Sequence, residues 1–188
     1  MDVAGLPGAA ASNTARGFIG VAFRSAPHGT AFDCFYLRPT NGRADDQLRR
    51  NHAAQYVSEP EFPWERLRTQ SPGVYESYVD LETGGWTHVT IDVSGVRARL
   101  FVNDAAQPAL IVNDLKRGVT SGAIGLWIGP GTEAYFRNLR VDHSLTVLGR
   151  RLPQGSDDGS VVADSGTAFA VSPFGAPAVR GSASDRLG

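Results

Sequence analysis

The chain has 188 residues, 41% of them hydrophobic and 20% charged, with a formal net charge of -1. That length accommodates one domain with a sizeable core rather than two, and the near-neutral balance leaves no electrostatic footprint for nucleic acid or an anionic membrane. A single cysteine, Cys34, excludes an intramolecular disulfide framework and a cysteine-based zinc site.

The elements run in chain order as short strands separated by turn chemistry. GFIGVAFR (17–24) is apolar on both faces and predicts a central strand. FDCFYLRP (32–39) is aromatic-rich and ends at Pro39, which cannot donate to a ladder. A polar connection follows, FYLRPTNGRADDQLRRNHAAQYVS counted from 35 to 58. Within it ADDQLRRNHA (44–53) has Leu48 as its only large apolar residue, so it predicts a turn or a short irregular helix. QYVS (55–58), YESYVDL (75–81) and WTHVTIDVSG (86–95) are the next strands. In the last of these Val89, Ile91 and Val93 alternate with His88, Thr90 and Asp92, the pattern of a sheet with one buried face. Ser94-Gly95 and Asn103-Asp104 bracket VRARLFVND (96–104) as turns. ALIVNDL (109–115), GAIGLWIG (122–129) and AYFRNLRV (134–141) complete an antiparallel sandwich. Residues 143–188 change composition to Gly, Ser, Ala, Asp and Pro, which predicts a largely irregular, flexible tail after a sandwich domain at 1–142.

No apolar run is long enough to span a bilayer, and the opening residues lack the positive-then-apolar order of a signal peptide. As written, the sequence reads as cytoplasmic. Lys116 is the only lysine among 18 basic residues, so almost every positive charge is a planar guanidinium.

The segments FYLRPTNGRADDQLRRNHAAQYVS, YESYVDLETGGWTHVTIDVSGVRARLFVNDAAQPALIVNDLK and GAIGLWIGPGTEAYFRNLRV resemble the concanavalin A-like lectin/glucanase superfamily. Within it they look closest to bacterial laminin-G-like domains related to the 3-keto-disaccharide hydrolase group. The resemblance covers roughly residues 2–142 and implies a jelly roll of two antiparallel sheets, the concave one often holding sugar. In such sandwiches leading strands precede a segment like DVAGLPGA, and an early strand pairs with the last one. DVAGLPGA stands at the start here, so the resemblance implies a sandwich lacking its N-terminal strands, with an unpaired edge at AYFRNLRV. That edge would be covered by SLTVLG (144–149), by GSVVAD (159–164), or by a second copy in a homodimer. The resemblance also implies that a parent copy is secreted or periplasmic.

The density of polar side chains in 35–58 is the strongest functional signal, because loops on a rigid scaffold are where binding groups collect. Arg38, Asn41, Arg43, Gln47, Arg50, Asn51 and Gln55 are planar groups able to bridge vicinal hydroxyls, and Tyr56, Trp64 and Trp127 offer sugar-stacking rings. The same arginines could instead pair with neighbouring aspartates and pin the loop, and the aromatics could serve as local cores. Asp46, Glu76, Glu133 and His52 are the candidates for acid–base chemistry. The glucanase signature of the superfamily, E-x-D-x-x-E in one strand, is absent. His28, His52, His88 and His143 are scattered without zinc spacing. Calcium would find oxygen ligands only near Asp33, Asp45, Asp46 or Asn113-Asp114, so no cofactor is expected. The expected partner is carbohydrate, and the leading function is a lectin-like carbohydrate-binding module. A glycoside or keto-sugar hydrolase is the alternative, and an inert truncated paralogue the third reading.

Overall fold

The computed structural model describes residues 1–142. Its elements are β1 (Asp2–Pro7), β2 (Ile19–Ser25), β3 (Phe32–Leu37), α1 (Pro39–Gly42), α2 (Gln47–Arg50), β4 (Ala54–Glu59), α3 (Trp64–Gln70), β5 (Glu76–Ser77), β6 (Thr87–Ser94), β7 (Arg97–Val102), β8 (Leu110–Val112), β9 (Ala123–Ile128) and β10 (Thr132–Arg137). They form two five-stranded antiparallel sheets, ordered β10-β1-β6-β7-β8 and β5-β4-β3-β2-β9. The result is an all-β antiparallel sandwich compatible with a jelly roll.

The core follows from alternation. In the first sheet Val3, Val89 and Leu100 turn inward, and they meet Ile19, Val21, Phe35 and Leu37 of the second. The gap left between these two inner faces is only about 10 Å³, too small to hold a water comfortably. Cys34 alternates to the outer side of β3 and is fully buried there, with its thiol pushed well above the usual cysteine range by burial.

The strand expected to lack a partner has one. β1 pairs with β10 over its whole length, from Asp2↔Arg137 to Pro7↔Thr132, and then joins β6 through Asp2↔His88 and Val3↔Thr87. DVAGLP therefore supplies β10 with an antiparallel partner from within the chain. β10 remains at one end of its sheet, with no further strand beside it among the described residues. The segments 144–149 and 159–164 proposed as replacement strands, and the tail from 143 onward, lie outside the described residues. No helix is long and apolar enough to cross a membrane among the described residues.

Strand YESYVDL (75–81) is regular only at Glu76–Ser77, although its exposure still alternates, Tyr78 outward and Val79 and Leu81 inward. Helix α3 was not anticipated by sequence. Its first turn follows Pro63, which sets φ for helix entry, and Leu67 is its one buried anchor.

Candidate functional site

The register of the second sheet draws one line of side chains across its outer face. Trp127 pairs with Gly20, Gly20 with Tyr36, Tyr36 with Gln55, and Gln55 with Glu76, each on a neighbouring strand. Gly20 contributes no side chain, so the rings of Tyr36 and Trp127 close over it and stack at 4.5 Å between centroids. A Cβ at Gly20 would come within 2.3 Å of the Phe35 carbonyl oxygen, so only glycine fits the line. Trp127 is 5% exposed and its indole Nε1 is buried without a hydrogen-bond partner.

The polar connection places its groups over the other end of that line. Arg38 leaves the end of β3 and is 5% exposed. Its Nη1 donates to the His52 carbonyl and to Gln55 Oε1, and its Nη2 to the Tyr36 hydroxyl at 2.7 Å and again to Gln55. All these acceptors are neutral. Burial pushes the Tyr36 phenol upward, so it stays protonated beside the guanidinium. Gln55 turns its amide nitrogen to the carbonyls of Tyr56 and Tyr75, which fixes its oxygen toward Arg38.

Glu76 lies next to Gln55 and is gripped by Arg68 of α3. Arg68 Nη2 donates to Oε2 at 2.7 Å and its Nε to both carboxylate oxygens at 3.1 Å. His52 Nε2 stands 3.2 Å from the other oxygen, Oε1. Burial lowers the His52 pKa below the usual histidine value, and the charges of Arg68 and Arg38 add to this against the upward pull of Glu76. A neutral imidazole facing a carboxylate through Nε2 carries its proton there, which leaves Nδ1 as an acceptor. No described side chain hydrogen-bonds to that Nδ1.

Two exposed rings flank this pair. Trp64, 37% exposed, carries the Arg68 guanidinium 4.6 Å from its centroid, and Tyr78, 42% exposed, carries that of Arg50 at 4.9 Å. The Tyr78 hydroxyl accepts from Arg50 Nη2, while Arg50 Nε is buried and unpartnered. Arg38, His52, Gln55, Trp64, Glu76 and Arg50 thus come together, with Trp127 at the far end of the line.

Other sequence candidates have different duties. Asn41 is buried; its amide donates to the His52 carbonyl and its oxygen accepts from Arg49, so it shapes the connection from beneath. Asp46 caps α2 by accepting the Arg49 amide proton. Gln47 and Asn51 bond to each other on the exposed side of α2. Arg43 forms an exposed pair with Asp80. Of the arginine–aspartate pinning weighed for this loop, that is the one instance among the described residues; the other arginines bond neutral acceptors. Tyr56 faces the sandwich interior, fully buried, with its hydroxyl 2.6 Å from Asp33, so it presents no ring for stacking. Glu133 is on β10 in the other sheet, hydrogen-bonded by Tyr135, and the three carboxylates proposed for acid–base work are not brought together. Sequence reasoning missed Arg68, Tyr36 and Tyr78, whose roles arise from contacts between separate segments.

No group of three or more His, Cys, Asp or Glu side chains is placed to hold a metal among the described residues. Asp33 and Asp114 are engaged by tyrosine hydroxyls instead. A depression of about 420 Å³ is on the outer face of the first sheet near Asp92, Arg97 and Ile111, and no candidate residue lines it. The exposed rings of Trp64 and Tyr78 thus form a mouth above the buried polar groups of Arg38, Gln55 and Glu76. No family model matches the chain, and no match was found among curated proteins or solved structures.

Proposed function

We propose that the protein is a carbohydrate-binding module of concanavalin A-like jelly-roll type, with its site on the outer face of the second sheet around His52, Glu76, Arg68, Trp64, Arg50 and Tyr78. The observation that carries this reading is the pair of exposed rings, each bearing a guanidinium, on either side of a hydrogen-bonding centre whose parts are already oriented by one another. Exposed aromatic faces hold the C–H face of a pyranose, and preset donors and acceptors select its hydroxyls at little entropic cost.

The test is a neutral and acidic glycan panel read by calorimetry on the full chain. Trp64→Ala is expected to weaken binding of any hit about tenfold, in keeping with the loss of a stacked sugar ring. A hit left unchanged by Trp64→Ala and by Tyr78→Ala would remove the reading.

One observation favours a hydrolase as the second reading: a neutral His52 oriented by Glu76 with Nδ1 left as an acceptor, the arrangement of a general base. It predicts release of reducing sugar that His52→Gln abolishes while glycan affinity is retained. Binding without turnover would leave the module reading alone.

A further inference from the structure

The charge of the whole chain is nearly balanced, at -1, but the mouth is not. Arg68 holds Glu76 there through both oxygens, which leaves Arg38 and Arg50 of the polar connection to other partners. Arg38 bonds only to a phenol, an amide oxygen and a carbonyl, and Arg50 only to the Tyr78 hydroxyl. Of the other carboxylates nearby, Asp46 is occupied in capping α2 and Asp80 is paired with Arg43. Neither Arg38 nor Arg50 has a carboxylate within 4.0 Å among the described residues. Beneath them Arg49 repeats the pattern, bonding to Asn41 and Thr40 alone.

A guanidinium bonded to neutral oxygens keeps its full positive field, and burial strengthens that field by removing the water that would screen it. Arg50 combines this with an unused donor: its Nη2 is taken by the Tyr78 hydroxyl and its Nε is sealed from solvent, which leaves Nη1 without a protein acceptor. Its stack on Tyr78 fixes the plane of the fork beforehand. An incoming planar anion would meet the Nη edge of that fork beside an exposed ring.

We propose that the ligand of this mouth is a uronic acid residue, its ring against Trp64 or Tyr78 and its carboxylate clamped by Arg50 in the field of Arg38. The proposal rests on the carbohydrate reading above and narrows it to acidic sugars. Glu76 and His52 then address hydroxyls, and their neutral-histidine arrangement leaves one acceptor for a sugar O–H.

The experiment titrates the full chain with short uronate oligomers of galacturonic, glucuronic and mannuronic acid, each beside its methyl ester, which keeps the ring and removes the charge. At least one uronate is expected to bind roughly tenfold tighter than its ester, with affinity falling as salt rises. Arg50→Gln is expected to erase that difference, while Arg50→Lys restores part of it; Arg43→Gln, in an exposed pair away from the mouth, is expected to change nothing. Equal binding of acid and ester overturns the acidic preference while the carbohydrate reading survives. Neutral glycans binding and uronates failing does the same. Acetate competing as well as the oligomer reduces the mouth to an anion site and overturns the proposal, as does preference for a sulfated sugar over every uronate. If no glycan of any charge binds, the carbohydrate reading itself fails. A folded Arg50→Gln, judged by an unchanged melting profile, that still prefers the acid removes Arg50 from the clamp.

Discussion

Each outer face of the sandwich carries a histidine beside a carboxylate, and the two pairs have opposite surroundings. On the second sheet, His52 and Glu76 sit among Arg68, Arg38 and Gln55 with little water. On the first, His88 Nδ1 lies 2.7 Å from Asp2, whose carboxylate also accepts from Arg137 and Asn138 in an open setting rimmed by exposed Trp86 and Tyr135. Burial decides what each pair does. In the first case desolvation keeps the histidine neutral and makes every partner indispensable. In the second, three donors from β6, β10 and the residue after it converge on Asp2 and latch the N-terminal strand between its neighbours. The same two functional groups make a recognition centre on one face and a fastening on the other.

The largest effect expected from breaking this contrast is at Glu76. Glu76→Gln removes the carboxylate that Arg68 grips and leaves buried positive charge uncompensated, at a cost of about 3 kcal/mol in urea unfolding. Asp2→Asn should shift the urea midpoint far less, because its partners return to water. A cost at Asp2 equal to that at Glu76 would break the distinction.

Gly20→Ala comes next. The new methyl meets the Phe35 carbonyl and Tyr36 Cβ, forcing apart the Tyr36–Trp127 stack, with an expected loss of about 2 kcal/mol and a change in tryptophan fluorescence. Unaltered emission would mean that the line of side chains yields easily.

The two pairs also separate by pH. Folded His52 takes up its proton less readily than the unfolded chain, which binds it near 6.5, so stability is complete above that value and declines as pH falls below it. His52→Gln should flatten this part of the profile. Asp2 is held at about 2 by hydrogen bonds from His88 and Asn138, and then Arg137, against an ordinary 3.8. Its contribution is therefore present above about 4 and disappears as pH drops from there toward 2. Asp2→Asn should flatten only that lower window in thermal melts. The smallest effect is expected from Trp86→Ala, which removes an exposed ring 4.0 Å from the Arg137 guanidinium and should cost about 0.5 kcal/mol.

Much of the sandwich was legible because alternation and turn residues are local. Val89 and Ile91 against His88 and Thr90 announce a half-buried strand by themselves, and Gly95, with φ of 57°, marks the hairpin that follows. β1 was not legible in the same way. DVAGLP carries few large apolar residues, and only its partner TEAYFR, more than a hundred positions on, makes it a strand. Helix α3 escaped for a related reason, since WERLRTQ offers Leu67 alone as a buried anchor. The candidate site was half legible. Arg38, His52 and Gln55 lie in one conspicuous stretch, but the line from Trp127 to Glu76 exists only through cross-strand register, which joins residues far apart in sequence. Arg68 became part of the site because a helix with no functional signature folds over that line.

The buried thiol of β3 gives the molecule a built-in gauge of its own opening. Cys34 is the sole cysteine in the chain and is 0% exposed. A thiol reagent therefore finds nothing to modify until the second sheet parts, and the rate of its capture counts those openings one by one. A cysteine introduced at Tyr78 would report on the mouth with the same reagent, so ligand protection and sheet opening could be timed in a single experiment.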